Sequence, residues 1–298
     1  MVDTKLVNTF IVGAPKCGTT SIAAWLSDHP QAYMSPEKEP HYFYTPYHVS
    51  KNAKQYMSLF LAADPSDKVI AEASVWYLFS KSAVQKILDY NPNAKFVVCI
   101  RNPTDMAVSL HAQKLVSNGT SYERLVSFED AWAANDERLS GKPVGMVGPS
   151  CDTRHMAYKY ACSIGTQLEA LLSEVGVNQV HVILIDDLKR NPRNVWLGLQ
   201  AFLELKDDGR SDFEAHNIAS APKSLLIHRA LNRISWLKQS LGIGRSFNLL
   251  SWVHSANTHE TQYKKPAEKF LDEVSKEFEA EVKKLELILD RDLSHWSR

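Results

Sequence analysis

The run FIVGAPKCGTTSIAAWL, residues 10–26, constrains this chain more than any other stretch. Phe10, Ile11 and Val12 read as a buried strand, Gly13, Pro15 and Gly18 build a turn, and residues 19–27 read as a helix. A strand, a glycine-bearing turn and a helix N-terminus make an anion site, because free backbone N–H groups and the helix dipole both point into the turn. The nucleoside-triphosphatase form of this loop, G-x-x-x-x-G-K-[ST], places lysine directly after the second glycine, where it reaches the β- and γ-phosphates. Here Gly13 and Gly18 keep the glycine spacing, but Thr19 holds the lysine's place and the lysine has moved into the loop as Lys16. That shift argues against ATP or GTP hydrolysis.

The rest of the chain alternates strands and helices, which specifies an α/β, P-loop-like three-layer fold with a central, mostly parallel sheet flanked by helices. Strands are expected at residues 32–34, 69–73, 95–100 and 181–185. Helices are expected at 52–61, 81–90, from Pro103 onward, 128–139, 155–174, 192–203 and 267–289. With 298 residues and no internal repeat or low-complexity linker, one domain over residues 1–298 is the default, with acceptor-side insertions around 117–155 and 235–262 and a shorter one at 42–56. Lys+Arg and Asp+Glu are both 34, so nothing suggests a nucleic-acid groove or a charged membrane surface. Cys17, Cys99, Cys151 and Cys162 lie far apart and form no metal-ligand spacing. Reduced thiols, no visible signal peptide and no apolar run near the ~20 residues of a membrane span lead to the expectation of a cytoplasmic protein.

A second landmark ends the most apolar strand, in CIRNPTDMAVSL. The carboxyl ends of strands line the ligand crevice in such folds, so Arg101 is expected beside the loop, where a guanidinium can grip a phosphate in two places. Ser109 lies two turns into the following helix, on a similar face. A triphosphatase that holds Mg²⁺ commonly ends a strand here with Asp. Arginine instead favours an anion clamp without metal.

The pattern Pro15-Lys16-x-Gly18-Thr19-Thr20 resembles the 5′-phosphosulfate loop of sulfotransferases that use 3′-phosphoadenosine 5′-phosphosulfate (PAPS), and the Arg101/Ser109 spacing matches that family's 3′-phosphate motif. HPQAYMSPEKEPHYF, residues 29–43, looks like the acceptor-side segment of bacterial and heparan-sulfate-type sulfotransferases. LIDDLKRNPRNVWLGLQAFLEL, residues 184–205, is similar to the family's fifth strand and following helix, and LELILDRDLSHW, residues 285–296, resembles its C-terminal ending. The resemblance implies PAPS as co-substrate, adenosine 3′,5′-bisphosphate as product and no required metal. It implies a donor site of Pro15, Lys16, Cys17, Gly18, Thr19, Thr20, Ser21, Arg101 and Ser109. The family often has tyrosine where Ile164 stands, and its basic loop over the 3′-phosphate has only Lys223, Lys264 and Lys265 as candidates.

Sulfuryl transfer builds negative charge on the bridging oxygen as its bond breaks, so a lysine and a helix N-terminus aimed there stabilise charge only as it develops. Lys16 and the backbone of residues 18–20 suit that role. An alcohol acceptor must also lose a proton to a base on the opposite side. Glu39 and His41, in KEPHYF, are two residues apart and share one side of an extended segment. The resemblance puts the base on Glu39, with His41 and Lys38 as its neighbours, while Glu72 remains an alternative and His111 a weaker one. A glutamate titrates near ~4.3, and burial would raise it. A kinase on a related fold would need a lysine after Gly18 and a metal-binding acid, and a non-catalytic nucleotide-binding protein has no need of Lys16, Arg101, Ser109 and Glu39 together. The acceptor is expected to be a small molecule of polar or mixed polarity, taken through an alcohol or a nitrogen; oligomeric state is open.

Overall fold

Strand β1 (Thr9–Gly13), which leads into the loop, is buried at every residue. In this computed structural model the chain is described over residues 6–44, 52–116, 122–147, 152–214, 221–222, 258–259 and 266–297. β1 lies at the centre of a five-stranded sheet with β2 (Ala32–Met34), β3 (Val69–Ala73), β4 (Lys95–Ile100) and β7 (Val180–Leu184), in the order β2-β3-β1-β4-β7. Every pairing in it is parallel. Between β4 and β7 the chain forms a small antiparallel ribbon of β5 (Tyr122–Glu123) and β6 (Met146–Val147). The expected sheet is therefore present; the ribbon is an addition that its two-residue strands are too short to announce.

Two neighbours hold the end of β1. Ser74 and Leu78 donate their N–H groups to Ile11 and Val12 carbonyls at 3.1 and 2.9 Å, and Ala14 donates to Cys99 O at 2.7 Å. Because β1 leads away on the β2 side and β4 continues on the other, the crevice opens between them at the carboxyl ends of the strands. Helix α1 (Thr19–Ser27) then starts at Gly18, whose φ of 90° is left-handed and costs glycine little.

The helices follow expectation with three breaks. The stretch 128–139 splits at Ala134 into α5 (Phe128–Ala133) and α6 (Asn135–Leu139), whose Arg138 is wholly buried and bridges Glu123 at 2.8 Å. The stretch 155–174 begins as a 3₁₀ turn at Thr153–Met156, passes through α7 (Tyr158–Ala161) and becomes α8 at Ile164–Glu174. Ile164 is fully buried, so an apolar residue suits that position. The last stretch breaks at Phe278, which packs edge-on against Trp132 at 5.6 Å, giving two C-terminal helices, Glu268–Glu277 and Glu279–Leu289. α4 (Pro103–Leu115) starts as expected, with proline in its first turn and Asn102 capping it. β7 ends at Leu184, one residue short of the expected strand, because α9 (Ile185–Arg190) already begins at Ile185. Among the described residues no helix is long and apolar enough to cross a membrane.

Gly13 has a φ of +157°, and a Cβ there would meet Leu78 Cβ at 2.9 Å and Val75 O at 3.0 Å. Gly13→Ala should therefore lower unfolding free energy by about 1–3 kcal/mol in denaturant titration. Parental stability of that variant would show that the loop's entry is not so tightly fixed.

Candidate active site

A cleft of about 710 Å³ opens where the loop after β1, the loop after β3, α4 and α9 converge. Pro15, Lys16, Gly18, Thr19, Thr20 and Ser21 line it from the loop, Arg101 and Ser109 from the end of β4 and from α4, and Lys38 and Glu39 from the turn that follows β2. The structure thus brings most of the expected site residues together. Cys17 and His41 are the exceptions: the Cys17 side chain is buried and turned inward, with Sγ 3.4 Å from Pro15 O and 3.8 Å from Met106 Sδ. Burial pushes its thiol well up, so it faces the core as a neutral group. His41 stands behind Glu39 and does not line the cleft, its Nε2 lying 3.2 Å from Glu39 Oε2.

Three cations share this space. Burial lowers the Lys16 ammonium's hold on its proton, and the charges of Arg101 and Lys38 lower it further. Lys38 donates to Thr20 Oγ1 at 2.5 Å and lies 3.9 Å from Glu39, so it ties the acceptor-side turn to the first turn of α1. Arg101 reaches Asp105 at 3.6 Å, but its Nε is buried without a hydrogen-bond partner among the described residues. The N-cap of α1 has no side-chain hydrogen bond. A helix start without a cap, an unsatisfied guanidinium N–H and mutually repelling cations all favour a bound anion. These residues fit the phosphate and sulfonate groups of a nucleotide such as PAPS.

Lys16, Glu39 and His41 share a backbone peculiarity, with φ of 65°, 59° and 51°. Residues other than glycine held in this region cost on the order of 1–3 kcal/mol and gather at functional sites. The turn carrying Glu39 and His41 is pinned to β3, where Ser35 and Glu39 donate N–H groups to Ala71 and Ala73 carbonyls, both at 2.8 Å. Burial works to raise the Glu39 carboxyl, but the hydrogen bond and charge of His41, with the charges of Lys38 and Lys114, outweigh it and hold Glu39 below the usual carboxylate range. The upward shift expected from burial alone is thus reversed by its neighbours.

The other candidates lie elsewhere. Glu72 is wholly buried and takes hydrogen bonds from Tyr56, Tyr77 and Ser74, so it has no access to an acceptor in the cleft. Burial raises its carboxyl to about 7, against the pull of those three hydroxyls. His111 is buried, and its Nε2 lies 2.8 Å from Leu125 O. Lys223, Lys264 and Lys265 fall outside the described residues, as does most of the 235–262 insertion.

Sequence reasoning did not single out Trp76, Gln113, Lys114, Ile185, Leu188, Lys189 and Phe213 as lining residues. Gln113 and Lys114 follow Ser109 and Leu110 by one helical turn, a spacing that marks the cleft-facing side of α4 once Ser109 is placed. Nothing local marks Trp76 or Phe213.

The model of the sulfotransferase domain matches residues 7–225. The chain belongs to the sulfotransferase family. A solved sulfotransferase from Alicyclobacillus acidocaldarius is 26% identical and superposes with a TM-score of 0.69, covering 98% of each chain. The chain is 27% identical over 221 residues to the bifunctional heparan sulfate N-deacetylase/N-sulfotransferase 1 of Caenorhabditis briggsae, covering 71% of this chain and 24% of that protein. It is also 27% identical over 149 residues to the human heparan sulfate glucosamine 3-O-sulfotransferase 6, covering 50% of this chain and 42% of that one. The chain thus spans about a quarter of the first relative and under half of the second. The family assigns sulfuryl transfer to the chain in general terms and sets the kinase alternative aside.

Only the ammonium form of Lys16 attracts an anion, and it is lost at a lower pH than for an ordinary lysine. Affinity for adenosine 3′,5′-bisphosphate should accordingly fall as pH rises through that lowered value, and Lys16→Met should flatten the fall. Calorimetric titration across pH checks this, and the same fall in the variant would place the titrating group elsewhere.

Proposed function

We propose that the protein transfers the sulfuryl group of PAPS to a hydroxyl or nitrogen of a small acceptor and releases adenosine 3′,5′-bisphosphate. The observation that carries this reading is the meeting, across one cleft, of a cationic, uncapped helix start and an ionised carboxylate held in a strained turn. PAPS supplies a sulfonate already activated by its phosphate leaving group, so the protein's task is charge stabilisation and proton removal.

Lys16, on the loop, offers its ammonium to the leaving oxygen, and the N-terminus of α1 adds the partial charge of its free N–H groups. Arg101 and Ser109 take the 3′-phosphate by resemblance, and the unsatisfied Arg101 Nε supports an anion there. Because that phosphate is remote from the breaking bond, its grip contributes binding more than turnover. Glu39, on the opposite side, accepts the acceptor's proton, and His41 Nε2 keeps that carboxylate ionised and oriented. Lys38, between Thr20 and Glu39, sets the two sides in register. The reading involves no metal ion.

The small-acceptor reading is supported by a cleft of about 710 Å³ that the donor must share, and by a chain of zero net charge, which gives no support to a basic track for a glycan. Two of the relatives are named for heparan sulfate, so a decisive panel includes phenols, aliphatic alcohols, amines and a glucosaminyl oligosaccharide. Incubation with PAPS labelled on sulfur should label a small member of that panel. Labelling of the oligosaccharide alone would move the acceptor to the glycan class, and labelling of none would count against transfer.

With the labelled acceptor, Glu39→Gln should lower turnover by about 10²–10⁴ while the donor's affinity stays parental. Activity needs the ionised Glu39, whose affinity for a proton His41 lowers, so the acidic limb of the pH profile should lie below that of an ordinary glutamate. His41→Ala should shift that limb to higher pH. Full activity of Glu39→Gln would remove Glu39 as the base.

A further inference from the structure

The buried carboxylate of Glu72 is left unused by the chemistry above, yet it is wired to the turn that carries the base. Glu72 Oε1 accepts from Tyr56 Oη at 2.9 Å and from Tyr77 Oη at 3.1 Å, and Oε2 accepts from Ser74 Oγ at 2.8 Å. Two of those hydroxyls are themselves acceptors. Ser74 Oγ takes the N–H of His41 at 3.2 Å, and Tyr77 Oη takes the N–H of Phe43 at 3.3 Å. All three residues of this core, Glu72, Ser74 and Tyr77, are wholly buried.

A hydroxyl has one proton to give. An ionised carboxylate accepts only, so it draws the Ser74 and Tyr77 protons toward itself and leaves the lone pairs of both oxygens for the backbone of residues 41 and 43. A carboxamide in its place would donate into the cluster and disorder this arrangement. The turn so held contains Glu39 and His41 with φ of 59° and 51°, a conformation that persists only where its surroundings enforce it. Aromatic packing closes the cluster from below: Phe43 meets Tyr56 and Tyr77 edge-on at 5.4 and 5.9 Å.

We propose that Glu72 is the positioning residue of the acceptor-side turn: through the Ser74 and Tyr77 hydroxyls its carboxylate fixes the backbone of residues 39–43, and with it the Glu39 carboxylate, at the cleft. Glu72 touches neither donor nor acceptor. Its catalytic consequence rests on the reading of Glu39 as base, while the positioning itself is measurable without turnover.

The test uses the full chain at pH 8 for amide hydrogen exchange, a carbon-13 titration of the Glu39 side chain, and adenosine 3′,5′-bisphosphate as binding probe. Glu72→Gln, Ser74→Ala and Tyr77→Phe should each speed exchange of the 39–43 amides on the order of tenfold, the loss of about one hydrogen bond, while segments around the donor loop and probe affinity stay parental. In Glu72→Gln and Ser74→Ala the Glu39 titration should also move up toward the ordinary carboxylate range, as its bond to His41 loosens. Removing a nearby negative charge would by itself move Glu39 down, and Ser74→Ala changes no charge, so an upward shift in both isolates positioning from electrostatics. If Glu72→Gln does not fold, Ser74→Ala and Tyr77→Phe decide. Parental exchange and titration in these variants, or faster exchange spread over the whole chain, would overturn the proposal. The expected exchange and titration together with full turnover of Glu39→Gln would leave the positioning standing and defeat the base assignment alone.

Discussion

Repulsion among Lys16, Lys38 and Arg101 is the constraint on which the rest of this site depends. Each is drawn to the carboxyl ends of the sheet by a different element, and their charges, added to burial, weaken the Lys16 ammonium. A protein keeps such an arrangement only where something returns the cost, and Asp105 at 3.6 Å from Arg101 offsets it in part. A multiply charged nucleotide, as in the proposed donor, would offset the remainder. The central parallel strands make this possible by bringing the loop after β1 and the end of β4 side by side, with Gly13 packed too closely on Leu78 and Val75 to carry a side chain.

At Glu39 the problem is the reverse: as the proposed base its carboxylate would have to stay ionised although burial disfavours its charge. His41 and Lys38 supply the compensating field, and β3 supplies the geometry. Strand β3 acts as the shared scaffold. Its backbone carbonyls pin the turn, its last residues lead into Ser74 and Tyr77, and the loop beyond it holds the end of β1 through Ser74 and Leu78 N–H groups. Distortion of that loop would therefore reach both donor and acceptor sides.

Much of this was legible in residue order, for physical reasons. Gly13 and Gly18 mark positions where only glycine fits, the buried apolar runs of β1 and β4 have no solvent-facing alternation to confuse them, and the charges at Lys16 and Arg101 sit at fixed offsets from those strands. Glu39 and His41 were legible as a pair, but not their left-handed backbone. The breaks at Ala134 and Phe278 carry no glycine or proline, and arise because the wholly buried Arg138 and the Trp132–Phe278 contact override local helix preference. The burial of Glu72 was not legible either. Tyr56 and Tyr77 reach it from separate segments, so a carboxylate that reads as a free base is in fact saturated with hydroxyl donors. Cys17 reads as part of the loop and is so only through its backbone, since its side chain enters the core.

The claim that the cleft is a metal-independent nucleotide-bisphosphate site is tested most directly by calorimetric titration of the protein with adenosine 3′,5′-bisphosphate and with ATP, each with excess Mg²⁺ and again with a chelator. Adenosine 3′,5′-bisphosphate should bind equally well in both conditions, more tightly than ATP, and lose most of its affinity in Arg101→Ala. Binding of ATP that is tighter and depends on Mg²⁺, with adenosine 3′,5′-bisphosphate indifferent to Arg101, would contradict it.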